Sequence, residues 1–282
     1  MKKTIPFFIG LLFLLTACAP VQEHEKPQVY TSFYAMYDFA RAIAGDQADV
    51  INLVPVGTEP HDWEPTAGDI AKLNGADLFV YNGNGMESWT EKVVKTLPEN
   101  VKSVNTSKAA AVQNQSDPHV WLDPENAKAQ AGAIKDALIA IDPEHESTYH
   151  TNYDIFSSKL DTLDRDYKQT VSGFSSKEIV VSHEAYGYLC RAYGLTQVPV
   201  EGLSGDSDPS PAKMAEIVTF IKEHQIKYIF FEELGGRKVV DTIAKETGAQ
   251  VLVLNPFEGD TQGRDYFTVM EENLKNLETA LK

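Results

Sequence analysis

The sequence predicts an α/β protein made of two α/β lobes with parallel sheets, joined by one long rigid helix. In both halves of the chain, short apolar strand patterns alternate with amphipathic helix patterns, which is typical of parallel strands linked by helical crossovers. Between the halves, apolar residues recur every three or four positions over roughly 28 residues, which predicts a helix about 40 Å long. We therefore assign residues 28–141 to an N-terminal lobe, 142–173 to the linking helix and 174–282 to a C-terminal lobe.

The N-terminus has the features of an export signal. Two lysines precede a short apolar run, and Leu15-Thr16-Ala17-Cys18 follows, which resembles the lipobox of bacterial lipoproteins. We expect residues 1–17 to be a signal peptide and Cys18 to carry lipid; the alternative is an ordinary secretory signal with a chance cysteine. Polar residues 18–27 would then be a tether that anchors the body to the extracytoplasmic face of the cell membrane.

The composition restricts the function and the covalent chemistry. The formal net charge is −16, and becomes −18 without Lys2 and Lys3, so the body is acidic and is not expected to bind nucleic acid. Cys190 is the only cysteine beyond Cys18. No disulfide within the body is therefore expected, and we expect the protein to be a monomer.

In the N-terminal half the alternation predicts four strands and four helices. The strands are predicted at Val29–Ser32, Val50–Val54, Asp77–Tyr81 and Val101–Val104, and the helices at Ala35–Ala44, Ala67–Leu73, Met86–Leu97 and Glu125–Ile141.

The second half repeats this alternation after the linking helix, which starts at Asp142-Pro143 and ends near Gly173. The strands are predicted at Glu178–Val181, Gln197–Val200, Tyr228–Phe231 and Gln250–Leu254, and the helices at His183–Tyr193, Pro211–Glu223, Lys238–Thr247 and Asp265–Leu281.

Three histidines occupy similar places in this pattern. His61 and His119 lie in proline-stiffened segments that follow predicted strands, and His183 lies directly at the carboxyl end of a strand. Ligands of open α/β sheets gather where strands end, and neutral imidazole is the commonest metal ligand in proteins. The three histidines are therefore candidate metal ligands.

A tetrahedral zinc ion needs a fourth donor, and the loop after the last predicted strand offers carboxylates. Glu258 lies in Leu254-Asn255-Pro256-Phe257-Glu258-Gly259, while Asp260 and Asp265 are nearby rivals. The residues alone leave the choice among these three open.

These motifs resemble the metal-binding solute receptors of ABC transporters, the zinc- and manganese-uptake lipoprotein family. The matching segments are the lipobox and the segments around His61, His119, His183 and Glu258, and they occur in the family's order along almost the whole chain. The resemblance implies two α/β lobes linked by a long helix, and a zinc site formed by His61, His119, His183 and Glu258. It also implies an ABC-type membrane permease as partner.

Two departures refine this resemblance. The manganese branch has a glutamate where His183 stands, which favours Zn²⁺ as the transported ion. Many zinc receptors carry a histidine- and acid-rich loop before the second metal histidine, but residues 109–116 contain neither.

The predicted function is thus an extracytoplasmic high-affinity zinc receptor that delivers Zn²⁺ to an import permease, and not an enzyme. The alternatives are a manganese receptor of the same family, a zinc-dependent surface hydrolase and a surface adhesin. A hydrolase needs an open coordination position and a general base, and the sequence has no His-Glu-x-x-His motif.

Overall fold

The computed structural model describes residues 25–111, 116–203, 209–234 and 237–282. The expected signal peptide and most of the expected tether lie outside these ranges. Within them, no helix is long and apolar enough to cross a membrane.

The described residues of the first half form four strands and four α-helices. The strands are β1 (Gln28–Thr31), β2 (Asp49–Asn52), β3 (Leu78–Tyr81) and β4 (Lys102–Asn105), and the helices are α1 (Tyr34–Ala44), α2 (Ala67–Leu73), α3 (Thr90–Val94) and α4 (Pro124–Ile141).

The second half begins after α5 (Glu146–Ser172), the longest of the described helices, and it also has four strands and four α-helices. After α5 come β5 (Glu178–Val181), α6 (Gly187–Tyr193), β6 (Thr196–Pro199), α7 (Pro211–Glu223), β7 (Tyr228–Phe231), α8 (Arg237–Thr247), β8 (Gln250–Val253) and α9 (Tyr266–Leu281).

Each half forms its own four-stranded parallel sheet, in the order β2-β1-β3-β4 and β6-β5-β7-β8. The two orders are equivalent, so the halves share one topology. In a parallel sheet all strands end at the same edge, and the loops that follow them collect there. The predicted fold class, two α/β lobes with parallel sheets and a long helix, is therefore confirmed.

The long helix α5 lies along both halves. Its buried residues include Phe156, whose ring packs against Phe39 of α1 and Phe267 of α9. Tyr167 near its end donates a hydrogen bond to the carbonyl of Met270, at 2.7 Å. Residues 143–145 form a separate 3₁₀ turn, so the α-helix begins at Glu146. The lobe boundaries and the rigidity of this helix remain predictions.

Two predicted helix starts are wrong. The predicted helix Met86–Leu97 is reduced to α3, because the Glu87 carboxylate folds back to accept hydrogen bonds from the backbone N–H groups of Asn82 and Gly83. The predicted helix His183–Tyr193 begins only at Gly187. There the backbone N–H of Glu184 donates to Gly202 at 3.1 Å, which turns the chain away from helical geometry.

Candidate metal centre

The loops at the strand ends bring the four predicted ligands together. His61 follows β2, His119 follows β4, His183 follows β5 and Glu258 follows β8. One donor atom from each of the four lies within 4.8 Å of the others. Two side chains come from each half, so the cluster lies between the sheets.

The spacing of the donor atoms matches the edges of a coordination tetrahedron. His119 Nε2 lies 3.3 Å from His61 Nε2, 3.4 Å from His183 Nε2 and 2.9 Å from Glu258 Oε1. Glu258 Oε1 lies 3.8 Å from His61 Nε2 and 3.7 Å from His183 Nε2. Donors about 2.0 Å from a tetrahedral zinc ion lie about 3.3 Å apart. The cluster therefore has the size that such an ion requires.

The cluster is almost completely enclosed. The exposed fractions of the side chains are 6% for His61, 0% for His119, 5% for His183 and 1% for Glu258. The rival carboxylates are used elsewhere: Asp265 caps α9 by accepting from the Thr268 N–H, and Asp260 accepts from the Gln262 N–H. Neither belongs to the cluster that the described residues form.

Carboxylates behind two of the histidines fix which nitrogen faces the cluster. His119 Nδ1 lies 2.9 Å from Asp117 Oδ1, and His183 Nδ1 is hydrogen-bonded to Glu232. Because each Nδ1 is engaged by a carboxylate, Nε2 is the nitrogen that faces the cluster and that a neutral imidazole would offer to a metal ion. Ser182 Oγ also donates to Glu232, at 2.5 Å, and holds that carboxylate in place.

Glu258 is held by a loop that is more constrained than its neighbouring glycine suggests. Phe257 has a φ of 60°, a left-handed conformation that is costly for a bulky residue, and its side chain is completely buried. Its backbone N–H donates to Asn255 Oδ1 at 2.7 Å, and the Asn255 N–H donates to Asn273 Oδ1 at 2.8 Å. These contacts turn the chain so that Glu258 points at the histidines.

The electrostatics of the cluster favour a bound cation. Burial opposes ionisation of Glu258, but hydrogen bonds from His119, His183 and His61 hold its pKa well below the usual value. Burial opposes protonation of His183, but the adjacent Glu232 and Glu258 carboxylates raise its pKa well above the ordinary value. Glu258 Oε1 lies 2.9 Å from His119 Nε2, and a proton on His183 is stabilised by the adjacent carboxylates when no metal is present. A divalent cation could replace such a proton, because three imidazoles and one carboxylate surround the same place.

A further carboxylate, Glu59, lies beside the cluster. Its side chain accepts a long hydrogen bond, 3.5 Å, from the His61 N–H. Burial, together with the charges of Glu258 and Glu232, raises the pKa of Glu59 to about 8. Burial and the neighbouring carboxylates thus favour the neutral form of Glu59.

Sequence reasoning found the four clustered residues but missed the groups that orient them. Asp117 lies two residues before His119 in the proline-stiffened segment, where an Asp-Pro pair also has an ordinary structural explanation. Glu232 directly follows β7, and a carboxylate at a strand end was the signal that could have found it. Its partner His183 is 49 residues away in sequence, so no local pattern joins them.

Two lobes with parallel sheets enclose a buried group of candidate metal ligands, three of them nitrogen donors. This arrangement defines a two-lobed metal-binding receptor. The family model described as "Zinc-uptake complex component A periplasmic" matches residues 29–280. The chain belongs to this family, so the predicted zinc branch of the solute-receptor family is confirmed.

Relatives agree with this assignment. The high-affinity zinc uptake system protein ZnuA of Bacillus subtilis (strain 168) is 38% identical over 307 residues, which cover 98% of this chain and 96% of that protein. The zinc-binding lipoprotein AdcA of Streptococcus pneumoniae (strain ATCC BAA-255 / R6) is 37% identical over 305 residues, which cover 98% of this chain and 60% of AdcA. The chain thus spans about 60% of the length of AdcA.

The fold is also found in a solved structure with bound metal. The Zn(II)-bound ZnuA-like domain of Streptococcus pneumoniae AdcA has a TM-score of 0.81 and 39% identity, covering 91% of this chain and 99% of that domain.

Proposed function

We propose that this protein captures Zn²⁺ outside the membrane with His61, His119, His183 and Glu258 and delivers it to an ABC-type import permease. The observation that carries the proposal is the buried set of four donors, which lie within 4.8 Å of one another at separations that suit a tetrahedral ion. The zinc-uptake family and the zinc-binding relatives support the same ion.

Three imidazole nitrogens favour zinc over manganese, which prefers oxygen ligands and a higher coordination number. The Nδ1 partners Asp117 and Glu232 increase the basicity of their histidines, so they strengthen binding without touching the ion. Capture then consists of replacing the ion's water molecules with four protein donors and releasing any proton held by the cluster.

A receptor fits this site better than a hydrolase does. Catalytic zinc sites keep one coordination position open for water, whereas here the fourth position is taken by a buried carboxylate. The enclosed donors favour holding and transferring the ion over activating a substrate.

We further infer that Cys18 carries the lipid anchor and that a monomeric body reaches the permease from the outer face of the membrane. An extracytoplasmic location agrees with the family's description. Mass spectrometry of the mature protein from wild-type cells and from a Cys18→Ala strain tests the anchor. A Cys18→Ala product with the wild-type membrane association and N-terminal mass would contradict it.

The central experiment measures the metal content and coordination of mature protein purified without chelator. We expect one zinc per chain and an X-ray absorption spectrum with three nitrogen donors and one oxygen donor. An octahedral, oxygen-rich site, or zinc binding that survives in His183→Ala at wild-type affinity, would disprove the proposed ligand set.

A further inference from the structure

A cavity of about 190 Å³ adjoins the metal cluster. It is lined by Glu258 and by Glu232, the buried partner of His183, and also by the exposed Val56 and Glu233. The cavity therefore extends from the molecular surface to the ligand cluster. Its volume has room for several water molecules, which a partly hydrated ion needs.

The lining of this cavity suits a cation. Glu232, Glu233, Glu258 and Asp260 all contribute to it. Glu258 is almost completely buried, and its Oε1 lies 2.9 Å from His119 Nε2, so this carboxylate forms the inner end of the lining at the ligand cluster. Among the described residues that line the cavity, Arg264 is the only basic one.

Arg264 joins the two segments that form the cavity walls. Its Nη2 donates to Glu233 at 2.5 Å, next to Glu232, and its Nη1 donates to Glu272 of α9 at 2.8 Å. Its Nε donates to the carbonyl of Thr261 at 3.0 Å, which fixes the guanidinium to the segment that carries Glu258. Glu233 also accepts from Asn255 Nδ2 at 2.7 Å.

The same two segments are also in close contact through Leu234 and Gly259, which both line the cavity. A Cβ atom at Gly259 would lie only 2.2 Å from Leu234 Cδ1, so the absence of a side chain at Gly259 lets Leu234 pack directly over the Glu258 segment. Arg264 and Leu234 thus both bridge the cavity from one segment to the other.

We propose that this cavity is the passage by which Zn²⁺ reaches and leaves the four-ligand cluster, and that Arg264 closes it by pairing with Glu233. The proposal rests on the proposed function, because it assumes that the cluster holds zinc. An ion that passes must separate the Arg264–Glu233 pair, and the acidic lining then conducts it to Glu258. Arg264 is a positioning residue that touches carboxylates and not the ion.

The test is stopped-flow measurement of Zn²⁺ association and dissociation in the mature protein, with Arg264→Met compared with the wild type. Removing the gate lowers the barrier to both entry and exit of Zn²⁺. We therefore expect both rate constants to rise by about tenfold while Kd is unchanged. Tenfold corresponds to about 1.4 kcal/mol in the cost of opening. Arg237→Met is the matched control, because the exposed Arg237 pairs with the exposed Asp241 within α8, outside the cavity lining. It should leave both rate constants unchanged.

Two further variants keep the test decisive if Arg264→Met folds poorly. Glu233→Gln removes the other half of the pair and should raise both rate constants, whereas Arg264→Lys retains a charge and should raise them less. Unchanged rates in all three variants, or a rise in dissociation alone with weaker binding, would overturn the passage. If the wild-type protein takes up no Zn²⁺ in equilibrium titration, it is the proposed function that fails.

Discussion

The indole Nε1 of Trp121 donates a 2.7 Å hydrogen bond to the carbonyl of Pro256, across 135 residues of sequence. Trp121 lies two residues after His119, and Pro256 lies two residues before Glu258. This bond therefore joins the segments of two proposed ligands from opposite halves of the chain. The Trp121 side chain is completely buried.

Trp121→Phe should consequently affect both stability and zinc binding. Loss of the N–H leaves the Pro256 carbonyl without this donor, which costs roughly 1–3 kcal/mol of unfolding free energy. Because His119 and Glu258 lose a common support, we also expect faster zinc dissociation. Denaturant unfolding and zinc-release kinetics measure the two effects.

Trp89→Phe provides a matched control for this prediction. Trp89 is also buried, but its Nε1 has no hydrogen-bond partner among the described residues, so its replacement removes a similar volume without breaking a bond seen there. Equal losses in the two variants would show that packing, and not the Trp121–Pro256 bond, is responsible.

His119→Ala should abolish high-affinity zinc binding while the fold persists. His119 is the most central of the four donors, since its Nε2 is the nearest neighbour of all three others. Loss of a supporting residue typically costs 10- to 100-fold in metal affinity, so loss of this donor should cost more than about 100-fold. Isothermal titration at pH 7.5 measures the change, and circular dichroism checks the fold.

The exposed His224→Ala is the control, because His224 pairs with Glu178 far from the cluster. It should bind zinc as the wild type does. Near-normal affinity in His119→Ala would mean that the Asp117–Pro124 segment has only a structural role.

Glu232→Gln tests support of a ligand without loss of a donor. The amide can still accept from His183 Nδ1, but the charge that increases the basicity of the imidazole is gone. We expect a 10- to 100-fold weaker zinc affinity. Glu233→Gln, one residue further along, leaves His183 untouched and should retain the wild-type equilibrium affinity. Equal affinity in Glu232→Gln and the wild type would remove Glu232 from the site.

The three histidines could be predicted as ligands because each follows a strand pattern and two of them lie beside prolines, whereas only the family resemblance favoured Glu258 over Asp260 and Asp265. The sequence could not predict the Trp121–Pro256 bond or the His183–Glu232 pair, since these depend on how the two halves pack. The left-handed backbone conformation of Phe257 could not be predicted either, because bulky residues rarely adopt a positive φ. The start of α6 was predicted too early, at His183. The spacing of apolar residues gives no information about the hydrogen bond from the Glu184 N–H to the Gly202 carbonyl.

Asp38 should make the fold less stable as the pH rises. Burial, opposed by the Tyr266 N–H and assisted by the charge of Asp265, raises its pKa to about 6, while Arg41 and Lys159 lower it. A group whose folded pKa is raised contributes stability below its unfolded pKa and loses that contribution as the pH passes the folded pKa.

Asp38→Asn should therefore stabilise the protein above pH 6, by about 1–2 kcal/mol after discounting for partial exposure, and the difference should vanish below about pH 4. Chemical denaturation at several pH values measures it. The exposed Asp154→Asn is the control and should show no such trend. A stabilisation by Asp38→Asn that is equal at pH 4 and pH 8 would show that the effect does not come from ionisation.

Zinc affinity should fall steeply as the pH is lowered. A histidine must be neutral to bind metal, and an unperturbed imidazole has a pKa of about 6.5. Because Glu232 and Glu258 raise the pKa of His183, protons compete with zinc at that histidine already above this value. Since Glu258 has a pKa well below its usual range, it stays ionised and does not limit binding as the pH falls.

Titrations from about pH 8 to 5.5 in buffers of different ionisation enthalpy would count the protons released on binding. We expect fewer than one proton at the alkaline end and more as each imidazole becomes protonated. In Glu232→Gln the decline should begin at lower pH, because His183 then loses the charge that holds its proton. An affinity that stays constant over this range would contradict a site made of three histidines.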